Sequence, residues 1–137
     1  MTASSKKISN IAQVRVRYAE TDKMQVVYNA NYFIYLEVAR NELVRNKNFS
    51  FSNLEIEEKV FFPIIDTYAK FNSPAFYDDI LDIETVICYD ESPIFKIEYK
   101  IFCQKKLICE AYTRHTFISQ ASRRPVKPPA RFIALFN

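Results

Sequence analysis

The stretch Tyr18-Ala19-Glu20-Thr21-Asp22-Lys23-Met24-Gln25-Val26-Val27-Tyr28-Asn29-Ala30-Asn31-Tyr32 decides how this chain folds. Before it, residues 11–18 alternate, with Val14, Val16 and Tyr18 on one face and Arg15 and Arg17 on the other, which is the period of a strand. After it the period becomes helical. Tyr32, Tyr35, Leu36, Ala39 and Leu43 recur at helical spacing, and Phe33, Ile34 and Val38 widen the stripe. A helix over residues 31–46 follows, apolar around most of its circumference and expected to be buried on several sides. Asn29 is placed to cap its start, and Asn46-Lys47-Asn48 to stop it. The quoted run is thus a strand end, a turn bearing carboxylates and a helix N-terminus.

Further along, Glu55, Glu57 and Glu58 mark a linker, and four strand-like segments follow at residues 60–71, 79–89, 94–103 and 107–119. Asn72-Ser73-Pro74, Asp90-Glu91-Ser92-Pro93 and Gln104-Lys105-Lys106 separate them. The order of strand, long helix and four strands predicts an α+β domain. One long central helix would lie in the concave face of a curved antiparallel sheet of about five strands. Hairpins would join the last strands, and the first strand would return beside one of them. Residues 1–10 read as a flexible tail and residues 11–137 as a single domain.

Composition narrows the function. Of 137 residues, 49% are apolar and 26% charged, the balance of a globular protein. A net charge of +3 permits an anionic ligand without calling for nucleic acid. Aromatics beside a basic edge could suit single-stranded RNA, but the aromatic-rich RNA-binding motif and its glycines are missing. No apolar run approaches a membrane span and no signal peptide is visible, so a cytoplasmic protein is expected. Cys88, Cys103 and Cys109 are odd in number and lack a C-x-x-C pair, which points to reduced thiols and no metal site. There is no glycine at all, which excludes a phosphate-cradling glycine loop. Backbone positions of positive φ are expected at Asn46, Asn48, Asn53 and Asn72.

Taken alone, Asp22 reads as a turn or capping residue or as the residue that carries chemistry. It falls close to the unpaired amides that open the helix, which can donate to a developing oxyanion and favour an ionised carboxylate. A thioester suits so sparse a site, because its thiol leaves without a strong general acid. Asp22 could attack the carbonyl or activate water. Other candidates read as support. Glu20 is a site-shaping or a solvated carboxylate, Glu37 and Arg40 an ion pair three apart on the helix, Tyr28 and Tyr32 pocket wall or core, and His115 structural or interfacial. Arg123, Arg124 and Lys127 are either a solvated basic tail or a seat for phosphates.

The run Tyr-x-Glu-Thr-Asp-x-Met-x-Val-Val-Tyr-Asn-x-Asn-Tyr, followed by Tyr35-x-Glu37-x-x-Arg40, resembles the 4-hydroxybenzoyl-CoA thioesterase family, especially its acyl-CoA thioester hydrolase (YbgC-type) branch. Phe71-Asn72-Ser73-Pro74-Ala75, Asp78-Asp79 and Arg123-Arg124-Pro125-Val126 extend the likeness over the whole domain. The resemblance implies a hotdog fold, a homodimer or homotetramer, and an active site at a subunit interface. It implies hydrolysis of acyl-CoA to free acid and CoA, with no cofactor beyond the CoA of the substrate. The catalytic aspartate falls on Asp22 and the carbonyl-polarising backbone amide on Asn29. Gln25, Val27, Tyr28 and Tyr32 would contact substrate, and Arg123, Arg124 and Lys127 the CoA phosphates. Gln25 and Ala30 stand where relatives often carry glycine. Action on acyl carrier protein thioesters, where the basic cluster would meet an acidic partner, is a second reading. A non-catalytic acyl-CoA binder is a third.

Overall fold

The computed structural model describes residues 5–137. Strand β1 (Lys6–Arg15) turns Ile8 and Ala12 inward and leaves Ile11 on the outer face. It begins earlier than the alternation suggests, because all of Lys6–Arg15 is needed to pair with the ten residues of strand β4 (Ile80–Tyr89). Residues 6–10 are therefore sheet, not tail; the tail expected over residues 1–4 lies outside the described residues. Tyr18 does not continue the strand. It opens the short 3-10 turn Tyr18–Glu20 with its ring exposed.

Helix α1 (Asn29–Arg45) buries Tyr32, Tyr35, Leu36, Ala39, Leu43 and Val44. Its seventeen residues span about 25 Å, enough to cross the sheet. The capping position is Tyr28, extended at φ −67° and ψ 136°, so Asn29 is the first helical residue rather than the cap. Nor is the helix buried on several sides within one chain. Phe33, Ile34 and Val38 are exposed, because the sheet covers only one face.

The expected acidic linker is a second helix, α2 (Phe51–Glu58). Ser50 Oγ caps it by accepting from the Asn53 amide at 3.3 Å, and Lys59 ends it in the left-handed region. Leu54 and the Phe51 ring face inward, the latter stacked 5.1 Å from Phe62. The carboxylates face out, where Glu57 and Glu58 pair with Arg131.

The segment expected as one strand over residues 60–71 divides into β2 (Val60–Phe61) and β3 (Ile64–Phe71), since Pro63 offers no ladder amide. Strands β5 (Ile94–Cys103), β6 (Lys106–Thr116) and β7 (Ile118–Ser119) complete the set. The main sheet is antiparallel in the order β1-β4-β5-β6-β3, and β2 pairs with β7. Leu81, Ile83, Ile87, Ile97 and Ile101 supply its buried face. Helix α3 (Ala130–Ile133) inserts Phe132 among Phe62, Phe95 and Phe117.

Eight described residues hold positive φ without glycine: Gln25, Asn48, Lys59, Asp78, Glu91, Gln104, Lys105 and Arg123. Of the four asparagines expected there, only Asn48 is among them. The direction the chain must take after each element, not the intrinsic tolerance of asparagine, selects these positions.

Candidate active site

After β1 the chain is fastened to the loop before β4 by Val16 N–H donating to Asp79 O (2.8 Å) and Asp78 N–H to Val16 O (2.9 Å). Glu20 is buried at the base of the next turn. Its Oε1 accepts from the Arg17 amide (2.8 Å) and the Tyr35 hydroxyl (2.8 Å), and its Oε2 from Arg17 Nε (3.0 Å) and Nη2 (2.9 Å). Burial pushes this carboxyl upward, but the Arg17 amide, the Tyr35 hydroxyl and the Arg17 guanidinium outweigh it and hold the group below its usual value. The same Tyr35 hydroxyl is pushed well up by burial and by the carboxylate it serves.

Asp22 sits on a tight loop. Thr21 bridges to Val27, Asp22 N–H donates to Val26 O (2.9 Å), and Gln25 N–H donates to Asp22 O (2.9 Å). Gln25 takes φ 67° to close it. Asp22 Oδ1 accepts from the Met24 amide at 2.8 Å, whereas Oδ2 has no hydrogen bond among the described residues. Val27 N–H reaches Ala75 O (2.9 Å) and Val26 bridges to Phe76, so the loop leans on the segment after β3.

Between these pieces lies a cleft of about 430 Å³. Asp22, Met24, Val26, Val27, Tyr28, Asn29 and Tyr32 line one side, and Phe71, Asn72, Ser73 and Pro74 the other. Two amides of the opening turn of α1 are engaged: Tyr28 N–H donates to Glu20 O (2.9 Å) and Asn31 N–H to Tyr28 O (2.9 Å). Those of Asn29 and Ala30 have no backbone acceptor among the described residues. One cleft therefore holds a carboxylate with a free oxygen, a helix N-terminus with free donors, and an apolar wall. Tyr32 is buried at its edge. Burial, with Cys109 beside it, pushes the phenol up to about 12 and keeps it neutral.

Of the residues expected to touch substrate, Asp22, Asn29, Val27, Tyr28 and Tyr32 meet in this cleft. Gln25 does not. It is exposed on a left-handed backbone, and Met24 and Val26 line the cleft where it does not. Arg123, Arg124 and Lys127 line no part of it within one chain. The pairing of β7 with β2, with Ser119 N–H donating to Arg124 O (2.9 Å) and Arg123 N–H to Ser119 O (2.9 Å), holds that segment elsewhere. Arg123 lies over the Phe61 ring at 5.3 Å, and Lys127 lines a separate depression with Lys59 and Gln120. The Asn72-Ser73-Pro74 turn was readable as a chain break, but its approach to Asp22 depends on the pairing of β3 with β6 and could not be read locally.

The remaining candidates lie outside the cleft. Glu37 and Arg40 approach to 3.9 Å. His115 is buried, stacked 4.4 Å from Phe62, with Nε2 2.9 Å from Thr113 Oγ1 and Nδ1 3.2 Å from Phe62 O. Burial pushes its pKa down to about 4. The three cysteines are unpaired, and no group of three or more metal-ligating side chains gathers among the described residues.

Known proteins resemble this chain in sequence and fold. Residues 16–136 match the thioesterase-like superfamily. The chain is 31% identical over 125 residues to the acyl-CoA thioester hydrolase YbgC of Escherichia coli, covering 90% of this chain and 92% of that one. It is 30% identical over 132 residues to the acyl-CoA thioesterase YbgC of Helicobacter pylori, covering 90% and 96%. The 4-hydroxybenzoyl-CoA thioesterase structure from Pseudomonas sp. strain CBS-3 superposes with a TM-score of 0.84 at 24% identity, over 93% of this chain and 99% of that one. That superposition bears on fold alone, and the fold is the hotdog expected from the motif. With its Asp22 cleft at the mouth of a helix laid across a five-stranded sheet, the chain belongs to the thioesterase-like superfamily of hotdog proteins.

Proposed function

We propose that this protein is a cytoplasmic hydrolase of acyl-CoA thioesters, releasing the free acid and coenzyme A. The observation that carries the reading is the meeting of Asp22 and the unengaged amides of Asn29 and Ala30 in one cleft. A thioester carbonyl directed at those amides gains stabilisation as negative charge builds on its oxygen. Asp22 Oδ2, free of other bonds, then acts as nucleophile or as general base toward water. The carbon–sulfur bond breaks, and the thiolate leaves with little need of an acid because its own pKa is modest. On the nucleophilic route water then opens the acyl anhydride left on Asp22, releasing the free acid and restoring the carboxylate. The activity named for the Escherichia coli and Helicobacter pylori relatives supports the same substrate class.

The protein acts as a homo-oligomer. An exposed apolar face on α1 (Phe33, Ile34, Val38) and an unpaired edge at β3 bearing exposed Ile64, Ile65 and Tyr68 support self-association. In this arrangement Arg123, Arg124 and Lys127 of one copy serve the phosphates of CoA held in the cleft of another. An acyl carrier protein, with its acidic surface, is the alternative donor of the acyl group. Gln25 lies outside the cleft, so it supplies no reason to read the protein as a binder without turnover.

Thiol release from a panel of short, long and aromatic acyl-CoAs tests the reading, with an acyl carrier protein thioester run in parallel. Saturable release from at least one acyl-CoA is expected. Saturable binding without release across the panel would replace the hydrolase with a binder, and release from the carrier thioester alone would move the substrate.

A further inference from the structure

We infer that Glu20 and Tyr35 are positioning residues that hold Asp22 in register with the opening of helix α1. The inference rests on the hydrolase reading above and concerns how its carboxylate is aimed.

A carboxylate only 7% exposed is costly unless donors surround it, and Glu20 has them on both oxygens. The bond from Tyr35 is the informative one. Tyr35 lies in the second turn of α1, so its hydroxyl fastens the turn before Asp22 to the body of the helix. The Glu20 carbonyl makes two further ties to the same helix, accepting from the Tyr28 amide at 2.9 Å and from Asn31 Nδ2 at 2.8 Å. One residue thus grips the helix at Tyr28, Asn31 and Tyr35, and Asp22 follows two positions later on a closed loop. The Asn29 and Ala30 amides lie inside the gripped turn. Donor and carboxylate are therefore held by the same residue.

Glu20 is not a second catalytic carboxylate. It lines no part of the cleft, both oxygens are occupied, and its depressed pKa keeps it ionised under assay conditions. Its effect must pass through Asp22. A shift of about 1 Å at a reacting group can cost about a hundredfold in rate. Glu20→Gln presents an amide NH2 to donors of Arg17 or Tyr35, whereas Tyr35→Phe deletes a single bond with the ring retained.

The test is steady-state kinetics of Glu20→Gln, Tyr35→Phe, their double variant and Asp22→Asn, with thermal melts alongside. Ile87→Val, buried at the end of β4 that pairs with Ile8 and not the end that meets the loop, controls for lost stability. We expect kcat to fall about a hundredfold in Glu20→Gln and about tenfold in Tyr35→Phe, with KM within about threefold. The double variant should be no slower than Glu20→Gln alone, and Ile87→Val should melt earlier at unchanged kcat. Wild-type kcat in Glu20→Gln and Tyr35→Phe, while Asp22→Asn is inactive, would overturn the inference and leave the hydrolase reading standing. So would an equal fall of kcat in Ile87→Val, or effects of Glu20→Gln and Tyr35→Phe that multiply. Wild-type kcat in Asp22→Asn would remove the catalytic assignment and this inference together.

Discussion

His115 is the only histidine in the chain, and it lies in the core rather than in the cleft. Burial lowers its pKa to about 4 from the 6.5 of an exposed imidazole, and the charge of nearby Arg40 adds to the effect. Below pH 6.5 the unfolded chain therefore takes up a proton that the folded chain refuses until about pH 4. Stability should be flat above pH 6.5 and fall through that window by up to about 3 kcal/mol. Glu20 has the opposite origin and a lower window. Its folded pKa is depressed, so its contribution is present above the ordinary glutamate value and lost only as pH falls through the folded one. Urea denaturation at pH 7.5, 6 and 5 should thus show a slope that His115→Gln removes, whatever that variant does to stability at pH 7.5. At this scale the place of Asp22 in the cleft was legible because its neighbours form a long and specific pattern. The side-chain direction of Gln25 was not, because it depends on a left-handed φ that residue type alone does not announce.

Among the elements, helix α1 was legible because its buried residues Tyr32, Tyr35, Leu36, Ala39 and Leu43 keep a regular helical spacing. Helix α2 was hidden. Its apolar side offers little beyond Phe51 and Leu54, and three glutamates make it read as a solvated linker. Strand β1 was read short because Lys6, Lys7 and Ser9 are exposed and leave Ile8 as the sole buried residue of its first half. The β5–β6 hairpin was legible in position but not in strain. Gln104 and Lys105 form its two-residue loop with φ 49° and 69°, values that favour asparagine followed by glycine. Replacing the pair by Gln104→Asn and Lys105→Gly should stabilise the fold by about 1–2 kcal/mol, read as a higher urea midpoint at unchanged slope.

For the whole molecule, the cleft draws on residues 22–32 and 71–74, which the sheet brings together from separate stretches of chain. Sequence pattern identifies each piece, but only the order β1-β4-β5-β6-β3 makes them neighbours. The basic residues at 123, 124 and 127 illustrate the limit: their proximity in sequence does not say where they lie relative to the cleft. Sedimentation should give at least twice the monomer mass. Ile65→Lys, which sets a charge on the β3 edge, should weaken association by at least about tenfold if that edge is buried between copies. A monomer with full activity would contradict the assembled site. The most direct test of the central claim is kcat of Asp22→Asn on the best acyl-CoA of the panel, with the melting temperature recorded on the same sample. The account predicts near-complete loss, by about a hundredfold or more, with melting unchanged within a few degrees. A folded Asp22→Asn variant that turns over at the wild-type rate would contradict it.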